Sequence, residues 1–266
     1  MTSSDDAADP AETAATPTVS PASPLVLFDL DDTLMAHREA VATGIALHMR
    51  ERAYVGDDAP AQQLWHELEE EHYHEYLAGR LTFEGQRRAR ARDFALAHGD
   101  ELDELAAGAW FDRYFERYRE SWTLHADALP AIDRLGDEIP EVRIGIITNG
   151  ELDFQLAKLD RLGIRERFGH VIASGAVGVT KPDSEIFELA VARFAAERPV
   201  SRAAYVGDRL ATDAIGAARA GLVGVWLNRF GVEPSADEAA EAAAAGVIEI
   251  ASLDELPAAL APRLRG

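Results

Sequence analysis

From residue 25 onward the chain alternates short, unbroken apolar runs with longer stretches in which apolar residues recur at helical spacing. Leu25-Val26-Leu27-Phe28 is the first run. Val142–Thr148, His170–Ser174, Ala203–Gly207 and Val223–Leu227 are similar, and Val247–Ile250 is a short sixth. Strands covered on both faces of a parallel sheet need this unalternated pattern. Leu152–Leu162, Ser184–Ala196 and Leu210–Ala220 are amphipathic, and Gly163 and Gly221 follow two of them, where a left-handed helix cap is expected. Strands alternating with helices predict an α/β fold: a doubly wound, Rossmann-like parallel sheet.

One interval breaks that rhythm. Thr148 lies 119 residues after Asp29, whereas a plain βαβ unit takes about 30. The excess, about Ala36 to Leu124, is helical in pattern and holds 12 of the chain's 20 aromatic residues. It reads as a helical domain over the mouth of the core. The expected division is therefore a core of residues 24–36 and 125–266, a helical insertion of residues 37–124, and a tail of residues 1–23. That tail is Ala, Ser, Thr, Pro and Asp with almost nothing large and apolar, which predicts disorder.

Composition narrows the chemistry. The 266 residues are 47% hydrophobic and 27% charged, as in ordinary soluble proteins. With no cysteine, disulfides, thiolate zinc sites, iron–sulfur clusters and thiol nucleophiles are excluded. The net charge of −21 repels nucleic acid and anionic membranes, so neither is an expected partner. No apolar run approaches a membrane span and no secretory signal opens the chain, which makes a cytoplasmic location the expectation. Monomer and homodimer both remain open.

Candidate chemistry sits at the strand ends. Asp29 and Asp31, two apart after the first strand, fall on one side if the chain is still extended there. The carboxyl ends of parallel strands form the ligand crevice of such folds. Two carboxylates so close call for a cation or a shared proton. A hard divalent ion such as Mg²⁺ fits better than zinc, because no cysteine or well-spaced histidine accompanies them. The second strand ends in Thr148-Asn149-Gly150 and runs into a helix, a hydroxyl and free N–H groups that suit an anion. Lys181 precedes Pro182, which should keep it extended at a loop tip. The fourth strand ends in Gly207-Asp208, and Asp213 follows early in the next helix.

Asp29-Leu30-Asp31-Asp32-Thr33, Thr148, Lys181 and Gly207-Asp208-Arg209-Leu210-Ala211-Thr212-Asp213 resemble, in order, the four motifs of the haloacid dehalogenase-like (HAD) hydrolase superfamily. The resemblance spans about Leu25 to Leu227, and the insertion looks like that family's C1 cap. It implies Asp29 as nucleophile and Asp31 as general acid and base. It implies Mg²⁺ held by Asp29, the Asp31 carbonyl and Asp208. Phosphoryl oxygens would be bound by Thr148, the Asn149 amide and Lys181, with Asp213 orienting Lys181 or a metal-bound water. Asp32 is expected to serve the loop through its backbone. Asp31 points to phosphoester hydrolysis, because dehalogenases of the family lack this residue. The insertion has no lysine, which disfavours a phosphonatase-type Schiff base. The Thr148-Asn149-Gly150 form, Lys181 to Phe187, and Val225-Trp226-Leu227-Asn228 look like the branch holding pyrimidine 5′-nucleotidases and N-acylneuraminate-9-phosphatases. A small phosphate ester, nucleoside monophosphate or sugar phosphate, is the implied substrate.

Two other readings compete. A phosphosugar mutase would return the phosphoryl group to sugar. A phospho-acceptor module like a receiver domain also uses acids with Thr and Lys, but has no 90-residue insertion and no use for Asp31. Within the insertion, Arg87, Arg88 and Arg90 are candidates to reach the leaving group, against a solvated helix face paired with acids. His72 and His74 lie too far apart around a helix to share an ion and read as surface. Trp110, Phe111, Tyr114, Phe115, Tyr118 and Trp122 read as the insertion's own core more than as a stacking platform.

Overall fold

The computed structural model describes residues 21–265. The strands are β1 (Ser23–Phe28), β2 (Arg143–Thr148), β3 (Val171–Ala173), β4 (Val200–Gly207), β5 (Val223–Leu227) and β6 (Ile248–Ile250). They form one sheet in the order β3-β2-β1-β4-β5-β6, with every pair parallel. Helices α1 (His37–Glu51), α2 (Asp58–Leu77), α3 (Phe83–Ala97) and α4 (Glu104–Glu120) fill the interval between β1 and the first crossover helix, α5 (Ala128–Glu138). The rest of the core adds α6 (Leu152–Arg161), α7 (Ser174–Val177), α8 (Ser184–Ala195), α9 (Gly216–Arg219), α10 (Ala236–Ala245) and α11 (Leu256–Leu264).

Side chains of successive strand residues point to opposite faces, and both faces of β1 are buried. Val26 and Phe28 join Ile132 and Leu135 of α5, Leu159 of α6 and Leu256 and Leu260 of α11 in one cluster. Leu25 and Leu27 join Ile186, Phe187 and Phe194 of α8 and Tyr205 of β4 in another. This is the expected doubly wound α/β arrangement. The first cluster continues without a break into Trp65, Phe94, Trp110, Phe111, Tyr114 and Tyr118 of the insertion. The aromatic residues of α4 are thus mostly interior, as their spacing implies. Phe115 and Trp122 also touch Phe154 of α6, each at 5.6 Å between ring centroids.

The boundaries differ where tertiary partners intervene. β1 starts at Ser23, inside the stretch read as tail, because Ser23 pairs with Val200 and extends β4 backward from Ala203. Residues 1–20 of that stretch lie outside the described residues. β3 is shorter than expected, since the Ser174 hydroxyl accepts a hydrogen bond from the Gly150 N–H and opens α7. The single helix expected over Leu210–Ala220 is a π-turn, Leu210–Ile215, followed by α9. Such widened turns recur at functional sites. Here the turn presses the Ala214 carbonyl against β5, where a Cβ on Gly224 would lie 2.1 Å from that oxygen. The insertion leaves and rejoins the core side by side: Met35 bridges Leu124, the Ala36 N–H donates to the Thr123 carbonyl, and the His125 N–H donates to that of Leu34.

Candidate active site

The carboxyl ends of β1, β2 and β4 bring the sequence-selected residues into one crevice. Asp29 follows β1 and is 6% exposed; Thr148 ends β2 and is 1% exposed. Lys181 is not at an exposed tip, as Pro182 suggested, but 6% exposed. Burying an ammonium requires partners, and its Nζ has three: Asp29 Oδ1 at 2.6 Å, Asp213 Oδ1 at 2.7 Å and the Tyr205 hydroxyl at 2.8 Å. Burial opposes its charge, but Asp213 and Asp29 outweigh that and raise its pKa. The Asn149 side chain brackets the same residue, accepting from the Lys181 N–H and donating to its carbonyl. The Lys181-Pro182 peptide is cis.

Asp29, Asp208 and Asp213 each offer a carboxylate oxygen, and the three lie within 4.8 Å of one another. Burial, only partly offset by Lys181, and then repulsion from Asp213 and Asp31 push the Asp29 carboxyl up to about 7. Burial, followed by Asp29 and Asp213, pushes Asp208 to about 8. Crowded, buried carboxylates with oxygen-only donors suit a hard divalent cation. Asp213 has less to offer such an ion. Its Oδ1 is held by Lys181 and its Oδ2 accepts from the Arg209 N–H at 2.9 Å. The indole of Trp226 donates to the Asp208 carbonyl and steadies that loop.

Asp31 stands near enough to Asp29 to repel its carboxylate, but the backbone between them and Met35 is no longer an extended strand. The chain turns after β1, with Asp31 bridging Met35 and Asp32 in the left-handed region at φ 57°. The Asp32 carboxylate, expected to matter less than its backbone, accepts from the backbone and side chain of Arg38. Asp31 instead meets Lys158 of α6, whose Nζ is 2.7 Å from both carboxylate oxygens and whose side chain is 2% exposed. His37 Nδ1 stands 3.9 Å away. Burial alone would raise the Asp31 carboxyl, but Lys158 and then His37 hold it below its usual range. Neither Lys158 nor His37 was singled out by the sequence. A lysine on an amphipathic helix reads as solvent-facing, and its only signal is that it shares a turn with buried Gln155 and Leu159.

The three arginines separate. Arg87 lies over the Phe83 ring at 4.2 Å and donates to Glu84. Arg88 is half-buried beside Gly108. Arg90 is 4% exposed, donates to Glu69 at 2.7 Å and covers the Trp65 ring at 3.8 Å, so it belongs to the insertion's interior. His72 is not a surface residue: it is 7% exposed because α3 packs on α2 and Asp93 pairs with it at 2.7 Å. Its neighbour His74 is exposed. Among the described residues no helix is long and apolar enough to cross a membrane.

Residues 24–221 match the family model of haloacid dehalogenase-like hydrolases. The chain is 33% identical over 232 residues to ribulose-1,5-bisphosphate 5-phosphatase of Halopiger xanaduensis, covering 82% of this chain and 90% of that one. It is 42% identical over 86 residues to the Escherichia coli pyrimidine 5′-nucleotidase YjjG, covering 32% and 38%. The magnesium-bound crystal structure of the HAD hydrolase YfnB from Bacillus subtilis shares the fold, with a TM-score of 0.71 at 21% identity over 90% of this chain and 99% of that one.

Proposed function

Because the chain belongs to the haloacid dehalogenase-like hydrolases and is a phosphatase of that family, we propose that it hydrolyses a small phosphate monoester with Mg²⁺ through an aspartyl-phosphate. The observation that carries this reading is the buried ammonium of Lys181 shared between Asp29 and Asp213, with Asp208 beside them. Asp29 and Asp208, with the Asp31 carbonyl, would hold Mg²⁺. When bound, the ion supplies positive charge that lets one anion approach another.

Asp29 is the nucleophile. Its carboxylate oxygen bonds to phosphorus as the ester P–O bond breaks, and the leaving oxygen takes a proton from Asp31. Water then attacks phosphorus and yields a proton to Asp31, and the bond from Asp29 to phosphorus breaks. One ester and one water become one alcohol and inorganic phosphate. Thr148 and the Asn149 N–H bind phosphoryl oxygens, and Lys181 stabilises their charge while the Asn149 side chain keeps its loop in place. Asp213 orients Lys181. Burial favours the protonated Asp31 that the first half-reaction needs, and Lys158 favours the carboxylate that the second needs. Residues 37–124 act as the cap, and the substrate is a nucleoside monophosphate or a sugar phosphate, in keeping with the named activities of the two relatives.

The test is phosphate release from a panel of both ester classes, with Mg²⁺ and with EDTA. Metal-dependent release that Asp29→Asn abolishes on every substrate is expected. Wild-type turnover by Asp29→Asn would overturn the mechanism.

A further inference from the structure

Asp32 anchors an arginine beside the carboxylate cluster. Its Oδ1 accepts from the Arg38 N–H at 2.8 Å and its Oδ2 from Arg38 Nε at 3.1 Å. Backbone and side chain of Arg38 are thus fixed to one buried carboxylate. The guanidinium lies over the ring of Phe230, in the segment between β5 and α10, at 4.2 Å from its centroid, and this contact sets its plane. Nη2 then stands 4.0 Å from Asp208 Oδ2, too far for a hydrogen bond. Asp208 is the carboxylate next to Asp29 in the cluster, so the guanidinium sits at the edge of the reacting centre.

The two lysines of the site are enclosed, Lys181 by Asp29 and Asp213 and Lys158 by Asp31. Arg38 differs, with a side chain that is 50% exposed. Its pairing with Asp32 uses Nε, and among the described residues Nη1 and Nη2 make no hydrogen bond. Those two groups form a planar fork that matches the oxygens of a carboxylate or a phosphate. Ordering a long side chain costs conformational entropy. Asp32 and Phe230 offset that cost before any ligand arrives, so an anion finds the fork already in place. In a chain of net charge −21, an anion beyond the transferred phosphoryl group needs such a local cation. Arg209, which follows Asp208, is exposed as well. It is held through its backbone to Asp213, and its side chain has no hydrogen-bond or ion-pair partner among the described residues.

We propose that Arg38, held by Asp32 and Phe230, binds a second anionic group on the leaving group, so the preferred substrate is a sugar phosphate that also carries a carboxylate or another phosphate. This rests on the phosphatase reading above. The test uses the full chain with Mg²⁺ and compares kcat/KM within two matched pairs. One is 6-phosphogluconate against glucose 6-phosphate, for a carboxylate; the other is fructose 1,6-bisphosphate against fructose 6-phosphate, for a phosphate. Wild type should favour the member with the added anion in at least one pair, and that pair names the anion. Arg38→Gln should lower this preference by about tenfold, mainly through KM, and Arg38→Lys should keep part of it as a charge without the fork. An arginine that merely tied α1 to Phe230 would, once replaced, slow both members alike. Three results overturn the assignment of Arg38: such an equal loss, no wild-type preference for the added anion in either pair, or a preference that Arg209→Gln removes and Arg38→Gln does not. No hydrolysis of any ester by wild type, with Mg²⁺ shown to bind, overturns the phosphatase reading instead.

Discussion

Asp29 and Asp31 are two residues apart and work in opposite electrostatic settings. For Asp29, burial and then the carboxylates of Asp213 and Asp31 outweigh the Lys181 ammonium and raise its pKa; for Asp31, the Lys158 ammonium and then His37 outweigh burial and lower it. Placing two carboxyl groups in divergent environments is how one site can supply a nucleophile and an acid–base group. Lys158 is the residue that makes the difference. Lys158→Met leaves only His37 and Lys181 to offset the burial of Asp31, so its pKa should rise. The acid limb of the kcat–pH profile should then move to higher pH and kcat fall by roughly tenfold, with Lys158→Arg restoring part of it. An acid limb in the wild-type position would show that Lys158 does not set Asp31. This pairing was hidden in the sequence because Lys158 and Asp31 are 127 positions apart. Lys181 was found, since it follows a strand and precedes a proline, but its burial was not legible. Its three partners come from three different segments.

At the level of elements, the apolar runs located all six strands, and the 119-residue interval holds helices α1 to α4. What the pattern misplaced were ends, and each shift has a local cause: Ser23 finding Val200, Ser174 capping Gly150, and the π-turn after β4. That turn has a strict steric condition. A Cβ on Gly207 would lie 2.4 Å from the Asp213 carboxylate, which could not then remain under Lys181. Gly207→Ala should therefore displace Asp213 and loosen Lys181. Stability should drop by about 1–3 kcal/mol, the usual cost of overpacking, and kcat by on the order of a hundredfold, comparable to losing one preorganised donor. Denaturant unfolding and steady-state kinetics measure the two separately. A variant that loses stability and keeps its kcat would show that Asp213 is not needed where it stands. His72 teaches the same lesson in reverse: angular spacing on one helix says nothing of the helix packed against it.

Across the whole molecule, the excess of acid is not evenly consequential. Most carboxylates are solvated, while Asp29 and Asp208 carry pKa values of about 7 and about 8 in the folded chain against about 4 in an unfolded one. Between about pH 4 and about pH 8 these two groups bind more protons in the folded state than in the unfolded one and make stability fall as pH rises, whereas His48, which burial holds at about 4, acts in the opposite sense up to about pH 6.5. In EDTA, the thermal midpoint should decline from about pH 6.5 to about pH 8, above the range in which His48 opposes it. Saturating Mg²⁺ should flatten that decline and stabilise most at the alkaline end, because the ion takes the place of the protons. A midpoint in EDTA that is level over this range would count against a shared acidic centre. Asp31 acts in the opposite sense, and only below about pH 4, so it does not blur the test.

The insertion departs from the core at Met35 and returns at Leu124, two backbone positions that are already paired. A segment anchored at adjoining points can be cut out, lengthened or exchanged without shifting the register of β1 or the start of α5. Asp29, Thr148, Lys181 and Asp208 would stay behind in such an exchange, while His37, Glu69, Arg90 and Tyr118 would leave together. The chain is thus arranged so that a recombination event at one doorway would replace the groups around Asp31 and leave those at the strand ends intact.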